Sequence, residues 1–218
     1  MGATDASAAV WAGRGLRPPS PGVWGFGRPI RGARERDTFG SMSDQGHRTT
    51  PLRLRPLEIG DEPSACAAHA ELDQEGFAFL LDWSPREPWS SYVERLGRCR
   101  RGEDLPPGWV PSTFLVADVG GEVVGRTSIR HDLNEYLAAL GGHIGYAVRP
   151  AHRGRGHAHE ILRQSLVIAR AEGVGRVLVT CDDDNIASRR TIERLGGVLD
   201  DVRAGSPGAP LRRRYWIH

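Results

Sequence analysis

Along the first stretch of the chain, hydrophobic and polar residues follow no period. From Met1 to about Arg48, Gly, Pro, Ser and Arg dominate and neither a helical nor a strand repeat can be traced. Order begins at Leu52, where "LRLRPLE" alternates apolar and charged residues as a half-buried strand does. Asp61 stands where a helix cap belongs, ahead of Ala65, Ala68 and Leu72 on a helix running towards Phe79. A second helix is predicted from Trp89 to Arg101, with Tyr92, Val93 and Leu96 on one face. The turn-rich "DLPPGWVP" follows. "STFLVADV" and "EVVGRTSIR" flank Gly120-Gly121 and predict a hairpin. After a short irregular or helical piece (Leu133 to Leu140), "HIGYAVRP" reads as a strand and a long helix opens past Gly156. The strand "RVLVTC", a helix from about Ile186 to Leu195, and strands near Val198 and at "RRRYWIH" complete the chain. This order predicts an α/β fold with a mixed sheet.

The 218 residues suffice for one domain and a tail. We expect a disordered tail over residues 1–48 and a folded domain over residues 49–218. Arg14, Arg17, Arg28, Arg31 and Arg34 give the tail the look of a transit peptide or basic arm, and a solvated tail is the plainer reading. Met42, the second of two methionines, offers a later translation start. A formal net charge of +2 is too small to argue for nucleic acid. Cys66, Cys99 and Cys181 are far apart and form no CxxC pair, which argues against a disulfide framework or a zinc site and makes a reducing cytoplasm the simplest compartment. No apolar run approaches the roughly 20 residues of a membrane span, so no membrane partner is expected.

The most informative segment is "VRPAHRGRGHAHEILRQSLVIARAEG". Pro150 ends a strand because it cannot donate to a ladder. Gly154 and Gly156 allow a tight turn, and the helix follows at once. Ala158, Ile161, Leu162, Ser165, Leu166 and Ala169 recur at helical spacing and predict the face packed on the sheet, with Gly173 as the stop. Unpaired amides and the helix dipole at such a start bind phosphate. Arg153 and Arg155 add formal charge, so a diphosphate is expected over Arg153 to Ala158. A P-loop is excluded for want of GxxxxGK[ST], and the GxGxxG pattern fails at His159.

These residues resemble the GNAT N-acetyltransferase superfamily. "RGRGHA" fits its Arg/Gln-x-x-Gly-x-Gly/Ala signature, and Asn185, Ser188 and Gly196 fit its second, downstream pattern. The resemblance implies a mixed, mostly antiparallel central sheet splayed between two strands and flanked by helices. It implies acetyl-CoA as co-substrate and the amine of a small molecule or peptide as acceptor. Amides of Arg153, Gly154, Arg155, Gly156, His157 and Ala158 would hold the diphosphate. Backbone groups of Tyr146, Ala147 and Val148 would pair with the pantetheine arm, and Asn185 would hydrogen-bond it, with Ser188 beside it. Gly145 would ease a bulge in that strand. Many members place a tyrosine seven residues after the asparagine to protonate the departing thiolate; here that position is Ile192.

Two catalytic candidates follow. His143 lies on the strand leading to the cofactor site and is the first candidate for the base, with packing or capping of a strand end as the plainer reading; Tyr146 is a candidate acid, and solvent is the other proton source. A backbone N–H near Tyr146 or Ala147 would serve the oxyanion. Asp182, Asp183 and Asp184 either attract a cationic acceptor or solvate a turn, with Asp184 or Asn185 capping the next helix. His152, His157, His159 and Glu160 match no zinc spacing, and no metal is expected. Cys181 is expected to pack rather than react. Trp83, Trp89 and Trp109 either line the acceptor pocket or join the core. A homodimer is left open. The alternative to an enzyme is a coenzyme A-binding sensor without turnover, which Ile192 favours.

Overall fold

The computed structural model describes residues 50–205 and 210–218. The tail assigned to residues 1–48, its arginines and Met42 lie outside the described residues. Strands are β1 (Arg53–Arg55), β2 (Ser112–Val119), β3 (Glu122–Arg130), β4 (Ile144–Val148), β5 (Val177–Asp182), β6 (Val198–Arg203) and β7 (Arg212–Ile217). Helices are α1 (Glu62–Asp73), α2 (Trp89–Arg101), α3 (His157–Ala171) and α4 (Ile186–Arg194). Leu137–Gly141 forms a π-helical turn where a short helical piece is expected. The order of elements agrees with the periodicity.

The strands form one sheet in the order β1-β2-β3-β4-β5-β7-β6. All pairings are antiparallel except β4 with β5. From Gly125 to Arg130, strand β3 alternates between two layers. Arg126 faces α1 and α2, stacking over the rings of Phe77 and Phe114. Thr127 faces α3, where its Oγ1 accepts from Ser165 Oγ at 2.9 Å. On the α1/α2 side Leu57, Ala65, Ala68, Leu72, Phe79 and Tyr92 build one core; on the other side Leu162, Leu166 and Ala169 of α3 pack on Ile129, Ile144 and Val179. Each fully buried large aliphatic side chain contributes about 1.5–3 kcal/mol.

The β4–β5 seam departs from this regularity. Strand β4 pairs with β3 over five residues, Ile144 to Val148, but with β5 through a single pair, Ile144 with Val179. His143 N–H bonds to Leu178 C=O at 2.7 Å just ahead of it. Gly142 permits that approach: it holds φ +70°, and a Cβ there would lie 2.7 Å from the Leu178 carbonyl oxygen. From Gly145 onward the two strands part, so the outer edge of β4 has no strand partner among the described residues.

Three local expectations change. Helix α1 ends at Asp73, short of Phe79, because the chain turns at Gly76 (φ +73°) and sends Phe77, Phe79, Leu80 and Leu81 into the core as a loop. Asp61 does not cap α1 with its side chain; its carboxylate accepts from Arg55 and from the Glu58 amide. Gly145 pairs with Ser128 in continuous register, and the irregularities fall instead at Ala117/Asp118 and Leu199/Asp201. What glycine provides at 145 is room: a Cβ would lie 3.0 Å from a terminal nitrogen of Arg130.

Candidate active site

Three features meet at the open edge of β4. The first is the turn ahead of α3. Gly154 and Gly156 adopt φ +77° and +80°, left-handed values that favour glycine, and side-chain space is open at both. The first backbone bond into the helix runs from Glu160 N–H to Gly156 C=O at 3.2 Å. The preceding amides, Gly154 to Ala158, have no backbone acceptor among the described residues. Gly154, Arg155 and Gly156 are exposed. This is the amide-rich, solvent-facing helix start that the glycine spacing predicts.

Arg153 sits differently from its expected place. Its guanidinium makes a two-pronged bond to Glu75 (3.0 and 2.7 Å), and its Nε donates to the Val148 carbonyl at 3.1 Å. Its charge therefore fastens the turn to the chain just beyond α1 and is matched by a carboxylate. Arg149 does the same one turn earlier, gripping Glu71 through two bonds of 3.0 and 2.6 Å.

The second feature is the contact between β4 and α4. Asn185 Oδ1 accepts from the Ser188 amide at 3.0 Å and so caps α4. The Tyr146 hydroxyl reaches across to Ser188 Oγ at 2.9 Å. Burial raises the Tyr146 pKa, so the phenol stays protonated. Ile192 is fully buried in the core beside α3, and Glu193 turns aside to accept from the Tyr215 hydroxyl at 3.0 Å.

The third feature is His143, where the geometry favours the packing role over the base. Its Nδ1 accepts from the Leu178 amide at 2.9 Å, which occupies the lone pair of that nitrogen and leaves the proton on Nε2. Burial, reinforced by the Arg130 charge, pushes its pKa down to about 4. The ring is a brace across the β4–β5 seam.

Other candidates find structural partners. Asp182 pairs with Arg212 and Asp183 with Arg213, while Asp184 remains exposed. No metal-ligating cluster exists among the described residues. Burial pushes the Cys181 thiol up to about 11, which removes it as a nucleophile at neutral pH. Trp83, Trp89 and Trp109 pack with the α1/α2 core, and Trp89 Nε1 donates to the Glu58 carbonyl at 3.2 Å.

Sequence reasoning missed Arg126, Ser128 and Arg130. All are nearly inaccessible, at 0, 1 and 1% exposure, and all lie on the α1/α2 side of β3 beside Gly145. The signal was the alternation of "GRTSIR", in which charged residues take inward positions.

A family model described as the Acetyltransferase (GNAT) domain matches residues 51–198. The chain belongs to this family. As a GNAT acetyltransferase it is an acyl-CoA-dependent N-acetyltransferase. It is 30% identical over 178 residues, covering 78% of the chain and 95% of the relative, to YjdG, an uncharacterized N-acetyltransferase of Bacillus subtilis (strain 168). Among solved structures it resembles yncA, a putative acetyltransferase of Salmonella typhimurium with acetyl-CoA, at TM-score 0.52 and 18% identity over 76% of this chain and 92% of that one. It also resembles RimL, a ribosomal L7/L12 alpha-N-protein acetyltransferase in complex with coenzyme A, at TM-score 0.53 and 18% identity over 78% and 97% of the two chains. Likeness at this identity speaks for the shared fold.

Proposed function

We propose that this GNAT acetyltransferase uses acetyl-CoA as co-substrate and transfers its acetyl group to a primary amine at the open edge of β4. The observation that carries this reading is the strand edge from Gly145 to Val148, without a strand partner among the described residues, leading to the amides of Gly154 to Ala158, which have no backbone acceptor among those residues. The diphosphate would lie on those amides. The pantetheine would complete the sheet beside Tyr146, Ala147 and Val148, with Asn185 and Ser188 on its other flank. Arg153 would act indirectly, by holding the turn through Glu75.

In the reaction a neutral amine forms a C–N bond to the thioester carbonyl, the C–S bond breaks, and the nitrogen passes its proton to water. Freeing an alkylammonium of its proton at pH 7 costs about 4–5 kcal/mol. The departing thiolate is a weak base, of pKa about 8.5, and needs stabilisation more than immediate protonation. Tyr146 supplies it. Its hydroxyl bonds Ser188, one helical turn before Ile192, so it stands within a turn of the vacant tyrosine position. Its raised pKa makes it a hydrogen-bond donor to the sulfur, with water as the final proton source. The free thiols Cys66, Cys99 and Cys181 suit a reducing cytoplasm, and among the described residues no helix is long and apolar enough to cross a membrane.

Calorimetry with acetyl-CoA and thiol release across an amine panel test the reading. Saturable binding and acceptor-dependent thiol release are expected; absence of binding would overturn it. Binding without turnover on any amine would favour the sensor reading, which the replacement of the usual tyrosine by Ile192 supports.

A further inference from the structure

Three candidates stand out. The exposed Val198, Leu199 and Val202 on the outer strand β6 have nothing that says what covers them. The cleft between β4 and α4 belongs to the site already described. The cationic face of β3 carries more.

Arg126, Ser128 and Arg130 occupy successive positions on one face of β3, and the register places Ser128 opposite Gly145. Because Gly145 has no side chain, the neighbouring guanidiniums lean over it. A terminal nitrogen of Arg126 donates to the Gly145 carbonyl at 3.3 Å, and one of Arg130 lies 3.0 Å from where a Cβ would stand. Arg126 has no carboxylate partner among the described residues. Its remaining bond goes to the Ala78 carbonyl at 2.8 Å, and its planes rest on Phe77 and Phe114. Burial lowers its pKa to about 9 and that of Arg130 to about 10, so both stay charged at neutral pH.

Arg126 Nε, Ser128 Oγ and Trp83 Nε1, all on this side of the sheet, have no hydrogen-bond partner among the described residues. A buried donor without an acceptor costs about 1–3 kcal/mol, more if charged. Arg126 Nε and Ser128 Oγ, two positions apart on one face of β3 and with no carboxylate at Arg126 among the described residues, form a site short of an anion. It abuts Gly145, which is itself partly exposed and is the first β4 residue past the pairing with β5. That is where the proposed thioester would meet its acceptor.

We propose that the acceptor is an amine carrying an oxyanion, a carboxylate or a phosphate, a few bonds from the nitrogen, and that Arg126 and Ser128 recognise this group beside Gly145. The inference rests on the acetyltransferase reading and narrows it. The charge of Arg126, which has no carboxylate partner among the described residues, disfavours a polyamine, whose second ammonium would face it, and favours an acceptor whose own negative charge completes the pair.

The test compares matched acceptors on the intact protein. Amino acids, their carboxamides, the corresponding aminophosphonates and linear diamines are offered with acetyl-CoA, and thiol release is followed. We expect kcat/KM for the best oxyanion-bearing amine to exceed that of its uncharged amide by about thirtyfold or more, as for other desolvated charge pairs. Carboxylate and phosphonate arms decide which oxyanion fits. Arg126→Lys should raise KM for the anionic acceptor and leave KM for the amide unchanged, since a point charge cannot replace the planar fork. Ser128→Ala, a smaller change, should move KM the same way if Arg126→Lys does not fold. Equal use of acid and amide, preference for diamines, or failure of every anionic amine would overturn the proposal. Lack of acetyl-CoA binding would instead overturn the reading beneath it.

Discussion

Gly156 shows how much one residue decides. Its φ of +80° starts α3 and exposes the preceding amides, and nothing lies near enough to clash with a side chain. Gly156→Ala should therefore cost about 1–2 kcal/mol through the backbone alone. It should also weaken acetyl-CoA binding severalfold by tilting the amides. Thermal denaturation and calorimetry read the two effects separately. Tyr146→Phe removes a hydroxyl and little volume; kcat should fall about tenfold or more with KM for acetyl-CoA nearly unchanged, as steady-state kinetics would show. The glycine turn could be read from the sequence because left-handed conformation is a local demand. Arg153 could not be placed, since its partner Glu75 is 78 positions away and only folding brings them together.

Elements are held in register by buried charge. Arg55 on β1 bonds Asp61, ahead of α1, and Asp118 on β2, at 2.6 to 3.0 Å, with the three side chains mostly buried. Removing one partner strands the others. Arg55→Met should destabilise the protein by about 3–5 kcal/mol, measured by urea denaturation. His143 gives the seam an acid sensitivity. Its folded pKa of about 4 lies below the unfolded value of about 6.5, so the unfolded chain binds the proton first. Stability should be full above pH 6.5 and fall towards pH 4 by up to about 3 kcal/mol, and His143→Gln should flatten that part of the pH–stability curve. Helical and strand periods revealed nearly every element. They could not reveal that β7 inserts between β5 and β6, because spatial order is set by contacts between distant segments.

Across the whole molecule, the two helix layers and the sheet bring separate chemistries to one strand. One face of β4 meets α3 and the amide turn; the other meets the arginines of β3 beneath α1 and α2. Family membership was legible in two short glycine- and asparagine-containing motifs. The acceptor side was not, because "EVVGRTSIR" reads as an ordinary strand until its alternation is assigned to layers.

The near-absence of pairing between β4 and β5 leaves the sheet with a built-in faulting line, bridged at Ile144 and braced by His143. The mature fold then needs a visitor to finish its own architecture. In deuterium exchange the Tyr146 amide, turned away from β3 by the alternation of the ladder, should be short-lived in the free protein and long-lived once acetyl-CoA is present. Occupancy would then register as rigidity, and heat tolerance would track the supply of acetyl-CoA.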